Sequence, residues 1–182
     1  MSDIGATGRP RPPIARLIVS IAGSLVFFVI APGTVALWLP WRITRWRVET
    51  LPAVLAPVRP LGAVFAAVGA VGLATCFARF AVQGLGTPAP VLPPTRLVVT
   101  GLYRHVRNPM YVAILWMLAG QALLLGSRTL LVYAAVVWLC FHVFVLGYEE
   151  PTLRAKFGQS YAAYCANVRR WWPRWRPWSA TP

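Results

Sequence analysis

Four long apolar runs, separated by polar or proline-rich stretches, dominate the order of residues in this chain. They cover about residues 14–39, 61–82, 110–126 and 129–148. An α-helix rises about 1.5 Å per residue, so such runs predict helices that cross a bilayer core of about 30 Å. Pro32 and Gly33 interrupt the first run, which leaves two interpretations open. It is either one kinked span or a span followed by an interfacial or re-entrant segment.

The connections between the runs predict how the helices meet. Small residues in the second run, such as Gly62 and Gly69, permit close helix approach. Only Ser127 and Arg128 separate the third and fourth runs, which predicts an antiparallel helical hairpin. Apolar residues recur at helical spacing in the tail, a pattern typical of a helix lying on a membrane; they are Leu153, Phe157, Tyr161 and Tyr164. The predicted fold is an all-α polytopic membrane protein with about four transmembrane helices, a helical hairpin and a C-terminal interfacial helix.

Composition strengthens the membrane interpretation. The 182 residues are 58% hydrophobic and only 12% charged, whereas a soluble domain is about 45–50% apolar and about 25% charged. Lysine and arginine number 18 against four acidic residues, giving a net charge of +14. The arginines lie between the apolar runs and at their ends. They do not form a basic patch on a soluble module, so we expect no nucleic-acid partner. The two histidines and three cysteines show no metal-ligand spacing, and no metal site is predicted.

The distribution of basic residues predicts the orientation. With four spans and the N-terminus inside, twelve basic residues lie on the inner side and five on the outer. The positive-inside rule therefore places both termini in the cytosol. Three tryptophans among the arginines at 38–47 are typical of an aromatic belt at a membrane surface. The arginine-rich, lysine-poor composition favours a bacterial inner membrane. We divide the chain into a disordered cytosolic lead (1–13), spans one and two (14–82), and the loop, hairpin and cytosolic tail (83–182).

Two adjacent carboxylates mark one candidate site. Glu149 and Glu150 follow the fourth run, and they are two of only four acidic residues in the chain. A carboxylate is unfavourable at a helix C-terminus, and two together repel each other. One interpretation is pairing with Arg154 or with the arginines of the 83–109 loop. The other is a functional role, as expected for ionisable residues at membrane depth.

A second polar segment, GLYRHVRNPMY at 101–111, should lie on the same cytosolic face. Asn108 and Pro109 predict a helix start, with asparagine at the cap and proline at the first helical position. A capped helix with snorkelling arginines accounts for Arg107 but leaves Tyr103, His105 and Tyr111 without a specific role. Gly84 and Gly86 are either a simple turn or part of the same site; without a preceding strand they are no dinucleotide-binding motif.

A cationic loop facing a carboxylate pair over apolar helices can hold a small zwitterionic cofactor. S-adenosylmethionine fits this arrangement. Its carboxylate requires arginine or asparagine donors, its ammonium and ribose hydroxyls require carboxylates, and its adenine requires an apolar slot. Methyl transfer then needs mainly in-line positioning of the methyl and the acceptor.

The segments GLYRHVRNPMY, the predicted hairpin, YEEPxLRxKFGxxYxxY and RRWWP resemble the isoprenylcysteine carboxyl methyltransferase and phospholipid methyltransferase superfamily. The similarity extends over about Gly84 to Trp175. It implies a helical membrane enzyme that binds S-adenosylmethionine on its cytosolic side. The family's R-H-P-x-Y element matches Arg107 to Tyr111, and Asn108 stands where the family often has histidine. Asparagine can donate to a cofactor carboxylate but cannot act as a base.

We therefore predict a membrane methyltransferase that acts on a lipophilic or lipid acceptor entering from the bilayer, similar to isoprenylcysteine carboxyl O-methyltransferase. The alternatives are a phospholipid N-methyltransferase, a non-catalytic membrane binding or scaffold protein of the same fold, and a reductase. The predicted catalytic residues are Arg104, Arg107 and Tyr111. The predicted cofactor-binding residues are Gly84, Gly86, Tyr103, His105, Asn108, Tyr111, Glu149 and Glu150.

Overall fold

The computed structural model describes residues 30–51, 56–83 and 97–179, and all regular structure within these ranges is helical. The α-helices are α1 (Leu39–Thr44), α2 (Arg59–Gln83), α3 (Pro109–Leu125), α4 (Arg128–Phe144) and α5 (Glu150–Asn167). Short 3₁₀ turns occur at Ala56–Val58 and Gly101–Arg104, and π-helical turns at Thr34–Trp38 and Val145–Glu149. The all-α prediction is confirmed for these ranges. The predicted lead and residues 14–29 of the first run lie outside them.

Within the described ranges, two helices are long and apolar enough to cross a membrane. One covers Ala56–Arg79, and the other is the 40-residue helix Arg128–Asn167, whose apolar part ends at Tyr148. Large apolar side chains on both helices are exposed, including Val71 and Val132, as expected for surfaces that face lipid. The third apolar helix, α3, has 17 residues and a length of about 25 Å. The count of four spans and the membrane hairpin stay predictions.

Helices α2 and α3 pack closely and run in opposite directions. A Cβ atom at Gly62 would lie 2.6 Å from the carbonyl oxygen of Gly120, and one at Gly69 would lie 2.5 Å from that of Ala113. The two backbones approach so closely because these positions carry no side chain. The small residues of the second apolar run therefore have the packing role that the sequence predicts.

Helices α3 and α4 also run in opposite directions, and this brings the candidate residues to one end of the molecule. Gly126 closes α3 in a left-handed conformation (φ 73°), and Leu125 and Leu130 share a small buried cluster beside it. At the other end of the pair, the rings of Tyr111 and Phe141 stack with centroids 4.5 Å apart. The start of α3 and the end of α4 therefore lie together.

Prolines account for both π-helical turns. The turn Thr34–Trp38 ends two residues before Pro40, and the turn Val145–Glu149 ends two residues before Pro151. Proline has no backbone N–H, so it cannot donate the helical hydrogen bond to the preceding turn. In the turn before Pro40, two carbonyl groups therefore lack a backbone donor, and side chains of other helices donate to them instead. The Tyr133 hydroxyl donates to Val35 at 2.9 Å and the Gln121 amide donates to Ala36 at 2.8 Å. Helix therefore continues past Pro32 and Gly33, and these two residues do not end it.

The tail helix buries its apolar side against the chain itself, and its position on a membrane surface stays a prediction. Tyr161 and Tyr164 are buried together with Val168, and Leu153 and Phe157 pack against them. Gly158 departs from helical geometry inside α5 (φ 49°). The chain then continues to residue 179 without regular secondary structure and returns to the 101–108 loop.

Candidate functional site

Glu150 is the centre of the polar cluster at this end of the molecule. Its residue is 5% exposed, and its carboxylate accepts hydrogen bonds from two arginines. Arg170 donates from Nε to Oε1 at 2.7 Å and from Nη2 to Oε2 at 3.0 Å. Arg107 donates from Nη1 to Oε1 at 3.0 Å. The bidentate contact is the stronger geometry for an arginine–carboxylate pair, so Glu150 ties the tail to the loop before α3.

Arg107 connects the loop to the tail in two further ways. Its Nη1 also donates to the Cys165 sulfur at 2.9 Å, and its backbone N–H donates to the Arg169 carbonyl at 2.9 Å. Its Nε is buried and has no hydrogen-bond partner within the described ranges. A buried donor without a partner is costly, which makes this atom a candidate donor to a bound anionic group.

Glu149 points to a different partner. Its Oε2 accepts a hydrogen bond from the Tyr111 hydroxyl at 3.0 Å, while the Tyr111 ring stacks on Phe141. Among the described residues, no hydrogen-bond donor contacts the other oxygen, Oε1. The two adjacent glutamates therefore differ: Glu150 is occupied by two arginines, and Glu149 keeps one oxygen open.

The environments shift the pKa values of the two carboxyls in opposite directions. Burial raises the pKa of Glu149, and the charge of Glu150 raises it further, against the hydrogen bond from Tyr111. Burial alone would also raise the pKa of Glu150, but the hydrogen bond from Arg170 and the nearby arginine charges together lower it. A cation placed beside Glu149 would favour its ionised form.

The rest of the 101–108 loop is held by the tail. The Asn108 amide donates to the Arg170 carbonyl at 3.2 Å, and the Arg104 Nε donates to the Trp178 carbonyl at 2.7 Å. His105 Nδ1 lies 2.8 Å from the Arg174 carbonyl, so the ring donates through this nitrogen. Backbone N–H groups of the tail donate back to the carbonyls of Arg104 and His105, each at 2.9 Å. The loop and tail thus pair along several residues.

Tyr103 lies at the edge of this loop. Its backbone carbonyl accepts a hydrogen bond from the Tyr164 hydroxyl at 2.6 Å. Burial raises the pKa of the Tyr103 phenol well above its ordinary value, so the phenol stays neutral at physiological pH.

The structure brings some predicted site residues together and separates others. Arg107, Asn108, Tyr111, Glu149 and Glu150 lie in or beside the Glu150 cluster. The side chains of Arg104 and His105 instead bond to tail carbonyls, and the Tyr103 carbonyl bonds to α5. Gly84 and Gly86 lie outside the described residues.

Helix α3 begins at Pro109 as predicted, but the predicted capping role of Asn108 is absent. Asn108 precedes the helix and Pro109 opens it, but the Asn108 side chain makes no capping hydrogen bond. Its amide donates to the tail instead, because docking of the tail places the Arg170 carbonyl within reach. The loop-arginine pairing considered for Glu150 is present with Arg107; a cofactor-binding role stays a prediction.

Sequence reasoning missed the central position of Arg170, which is not among the predicted site residues. It also missed the tail contact of His142, whose Nδ1 accepts a hydrogen bond from Trp171 Nε1 at 3.1 Å. The available signal was the RRWWP segment, which follows α5 closely enough to fold back onto α4.

Comparison with known proteins defines the class. Residues 60–160, more than half of the chain, match the family model for phospholipid methyltransferase. The chain belongs to this family, and the resemblance to the isoprenylcysteine and phospholipid methyltransferase superfamily is confirmed. Protein-S-isoprenylcysteine O-methyltransferase B of Arabidopsis thaliana is 34% identical over 74 residues, a match covering 40% of this chain and 37% of that protein. No solved structure matches.

Proposed function

We propose that this chain is a membrane enzyme that transfers a methyl group from S-adenosylmethionine to a lipophilic acceptor, as an isoprenylcysteine carboxyl O-methyltransferase does. The observation that carries the proposal is the different state of the two glutamates. Glu150 is locked by Arg107 and Arg170, whereas Glu149 presents an open oxygen beside Tyr111. The cluster lies just beyond an apolar helix, where a lipid-soluble acceptor and a water-soluble cofactor can meet.

The residues present fit the cofactor. Bound S-adenosylmethionine supplies an electrophilic methyl group on a sulfonium. Glu149 Oε1 would accept from its ammonium or ribose hydroxyls, and the buried Nε of Arg107 would donate to its carboxylate. Glu149 is half-buried with a raised pKa, so a cationic ligand would gain from contact with its ionised form.

The chain's own part in the reaction is positioning and exclusion of water. Tyr111 is fixed by its stack on Phe141 and its hydrogen bond to Glu149, so it would shape the pocket near the methyl group. A carboxylate acceptor needs no base, only a donor that orients it. Arg107 is proposed for either the cofactor carboxylate or the acceptor, and Arg104, whose Nε donates to the Trp178 carbonyl, would contact the acceptor through its terminal nitrogens. Such orientation is the principal requirement of methyl transfer.

The orientation and location of the enzyme are part of the proposal. The excess of basic residues around the loop and tail supports placing the Glu150 cluster and both termini in the cytosol. The arginine-rich composition supports a bacterial inner membrane. The acceptor would reach the cluster from the bilayer alongside α4 and the π-helical turn that follows it, where the apolar side chain of Leu146 is exposed.

Binding of S-adenosylhomocysteine to the purified protein is the first test. Binding at micromolar concentration is expected, and Glu149→Gln should weaken it about tenfold by removing a charged acceptor. Glu49→Gln, which changes an exposed glutamate on the 45–51 segment, is the matched control. No binding at millimolar ligand would reject a methyltransferase and favour a non-catalytic membrane protein.

Transfer of labelled methyl groups is the second test. A prenylcysteine analogue and a membrane lipid extract are offered in parallel, and label on the analogue's carboxylate is expected. Label on phospholipid amines alone would refute the O-methyltransferase proposal and identify a phospholipid N-methyltransferase.

A further inference from the structure

An open groove with a volume of about 680 Å³ lies far from the Glu150 cluster. Its lining residues are Gly33, Thr34, Leu37, Trp38, Trp41 and Trp46. The turn that follows α1 is tied to the far end of α3, because the Glu49 N–H donates to the Leu125 carbonyl at 2.7 Å. The groove and the Glu150 cluster therefore belong to opposite ends of the helices. The groove has no part in the proposed methyl transfer.

Irregular backbone shapes this groove on both sides. The π-helical turn Thr34–Trp38 supplies three of its six lining residues, and π-helical turns frequently occur at functional sites. Arg45 and Trp46 both have left-handed backbones (φ 50° and 54°). Two consecutive residues of this kind are unfavourable unless surrounding contacts hold them.

Thr44 provides those contacts. Its side chain is buried; its hydroxyl donates to the Pro40 carbonyl at 2.8 Å and accepts from the Trp46 N–H at 3.2 Å. The Arg45 N–H donates to the Trp41 carbonyl at 2.7 Å. The chain thus turns back so that Trp46 joins Trp41 at the groove. The lining is organised before any ligand arrives.

The groove combines an apolar floor with a cationic rim. Leu37 and Trp38 are each 52% exposed. The Arg45 guanidinium lies 4.5 Å from the Trp41 ring centroid, and that of Arg42 lies 5.9 Å from the Trp38 ring centroid. Within the described ranges, both ion pairs involve Glu150, so these arginine charges have no carboxylate partner there.

We propose that this groove binds an anionic phospholipid, with an acyl chain against Leu37 and the tryptophans and the headgroup phosphate at Arg42 and Arg45. Tryptophan rings lie at the headgroup level of a bilayer, and basic residues at that level attract anionic lipids. The apolar floor favours a lipid, and the two arginines, which have no carboxylate partner within the described ranges, favour an anionic one. A lipid bound here would stabilise residues 33–46 at the end of the molecule opposite the Glu150 cluster.

Lipid titration of the full-length protein in detergent micelles tests this proposal. Phosphatidylglycerol is added in one series and phosphatidylcholine with the same acyl chains in another, and the midpoint of thermal denaturation is recorded. Phosphatidylglycerol alone should raise the midpoint. Its apparent affinity should fall about fivefold in Arg45→Gln and about 25-fold in Arg42→Gln/Arg45→Gln. Arg128→Gln is the control, because that arginine is exposed at the same end and outside the groove.

Any one of four outcomes would overturn the proposal. Equal stabilisation by phosphatidylcholine would show that the headgroup charge is irrelevant. An unchanged response in the double arginine variant would place the lipid elsewhere. Stabilisation by glycerol phosphate alone would identify an anion site without a role for the groove. The variant Trp46→Ala keeps every charge and is expected to weaken the phosphatidylglycerol response; an unchanged response would also reject the groove.

Discussion

Replacing Glu150 with glutamine removes the only carboxylate that contacts both Arg107 and Arg170 in the described structure. The three nitrogen–oxygen distances are 2.7, 3.0 and 3.0 Å, and the glutamate side chain is only 7% exposed. Loss of one partner from a buried ion pair costs about 3–5 kcal/mol. The Arg170 side chain is 28% exposed and keeps part of its hydration, so we expect a loss of about 3 kcal/mol in the free energy of unfolding.

For a protein of this size, 1 kcal/mol lowers the thermal midpoint by about 2–4 °C. Glu150→Gln should therefore lower it by about 6–12 °C, measured by thermal denaturation of the purified protein in detergent. Hydrogen exchange at the backbone amides of Arg107 and Arg174, which join the loop to the tail, should accelerate as well. The control Glu49→Gln should change neither the thermal midpoint nor these exchange rates. A shift in the Glu150 variant below about 2 °C, about 1 kcal/mol or less, would refute the assignment of Glu150 as the tie between loop and tail.

Further predictions concern the same end of the molecule. The pKa of Glu150 is lowered in the folded protein, so the contribution of this carboxylate to stability is complete above its ordinary pKa of 4.5. That contribution is lost as the pH falls through the lowered pKa of the folded state. The thermal midpoint of the wild type should therefore drop in acid more steeply than that of Glu150→Gln. Tyr111→Phe keeps the ring stack but removes the donor to Glu149, and should cost about 1.5 kcal/mol in thermal denaturation; no change would show that the hydroxyl is solvated instead. Pro151→Ala restores a backbone N–H after the π-helical turn and should rotate Glu150 away from Arg107. Hydrogen exchange at the Arg107 amide should then become faster; an unchanged exchange rate would show that the turn does not determine the position of Glu150.

Much of the helical framework could be predicted from the sequence, because it depends on local patterns. Apolar runs must satisfy their backbone groups internally in a membrane, and helices do so. Small residues at Gly62 and Gly69 allow a backbone contact that larger side chains would block. Pro109 has a preferred place in the first turn of a helix, and α3 begins there.

The pairing of charges could not be predicted in the same way. Glu150 follows the fourth apolar run in sequence, but its partners lie 43 and 20 residues away. Which arginine reaches it depends on the rotation of α5, which is set by the π-helical turn before Pro151 and by the irregular backbone at Gly158. Arg154 is nearest in sequence yet forms no ion pair with Glu150 in the described structure, while Arg170 contacts both carboxylate oxygens. Such selection is a property of the assembled fold.

The two π-helical turns also bear on how related sequences should be aligned. A π turn contains one residue more than the α turn that replaces it. A relative that lacks one residue within Val145–Glu149 can therefore keep α4 and α5 in the same relative positions, whereas a deletion elsewhere in either helix would rotate all that follows by about 100°. The same holds for Thr34–Trp38. Single-residue gaps are therefore expected in these two turns, each of which ends two residues before a proline, and gaps there should not be taken as a change of fold.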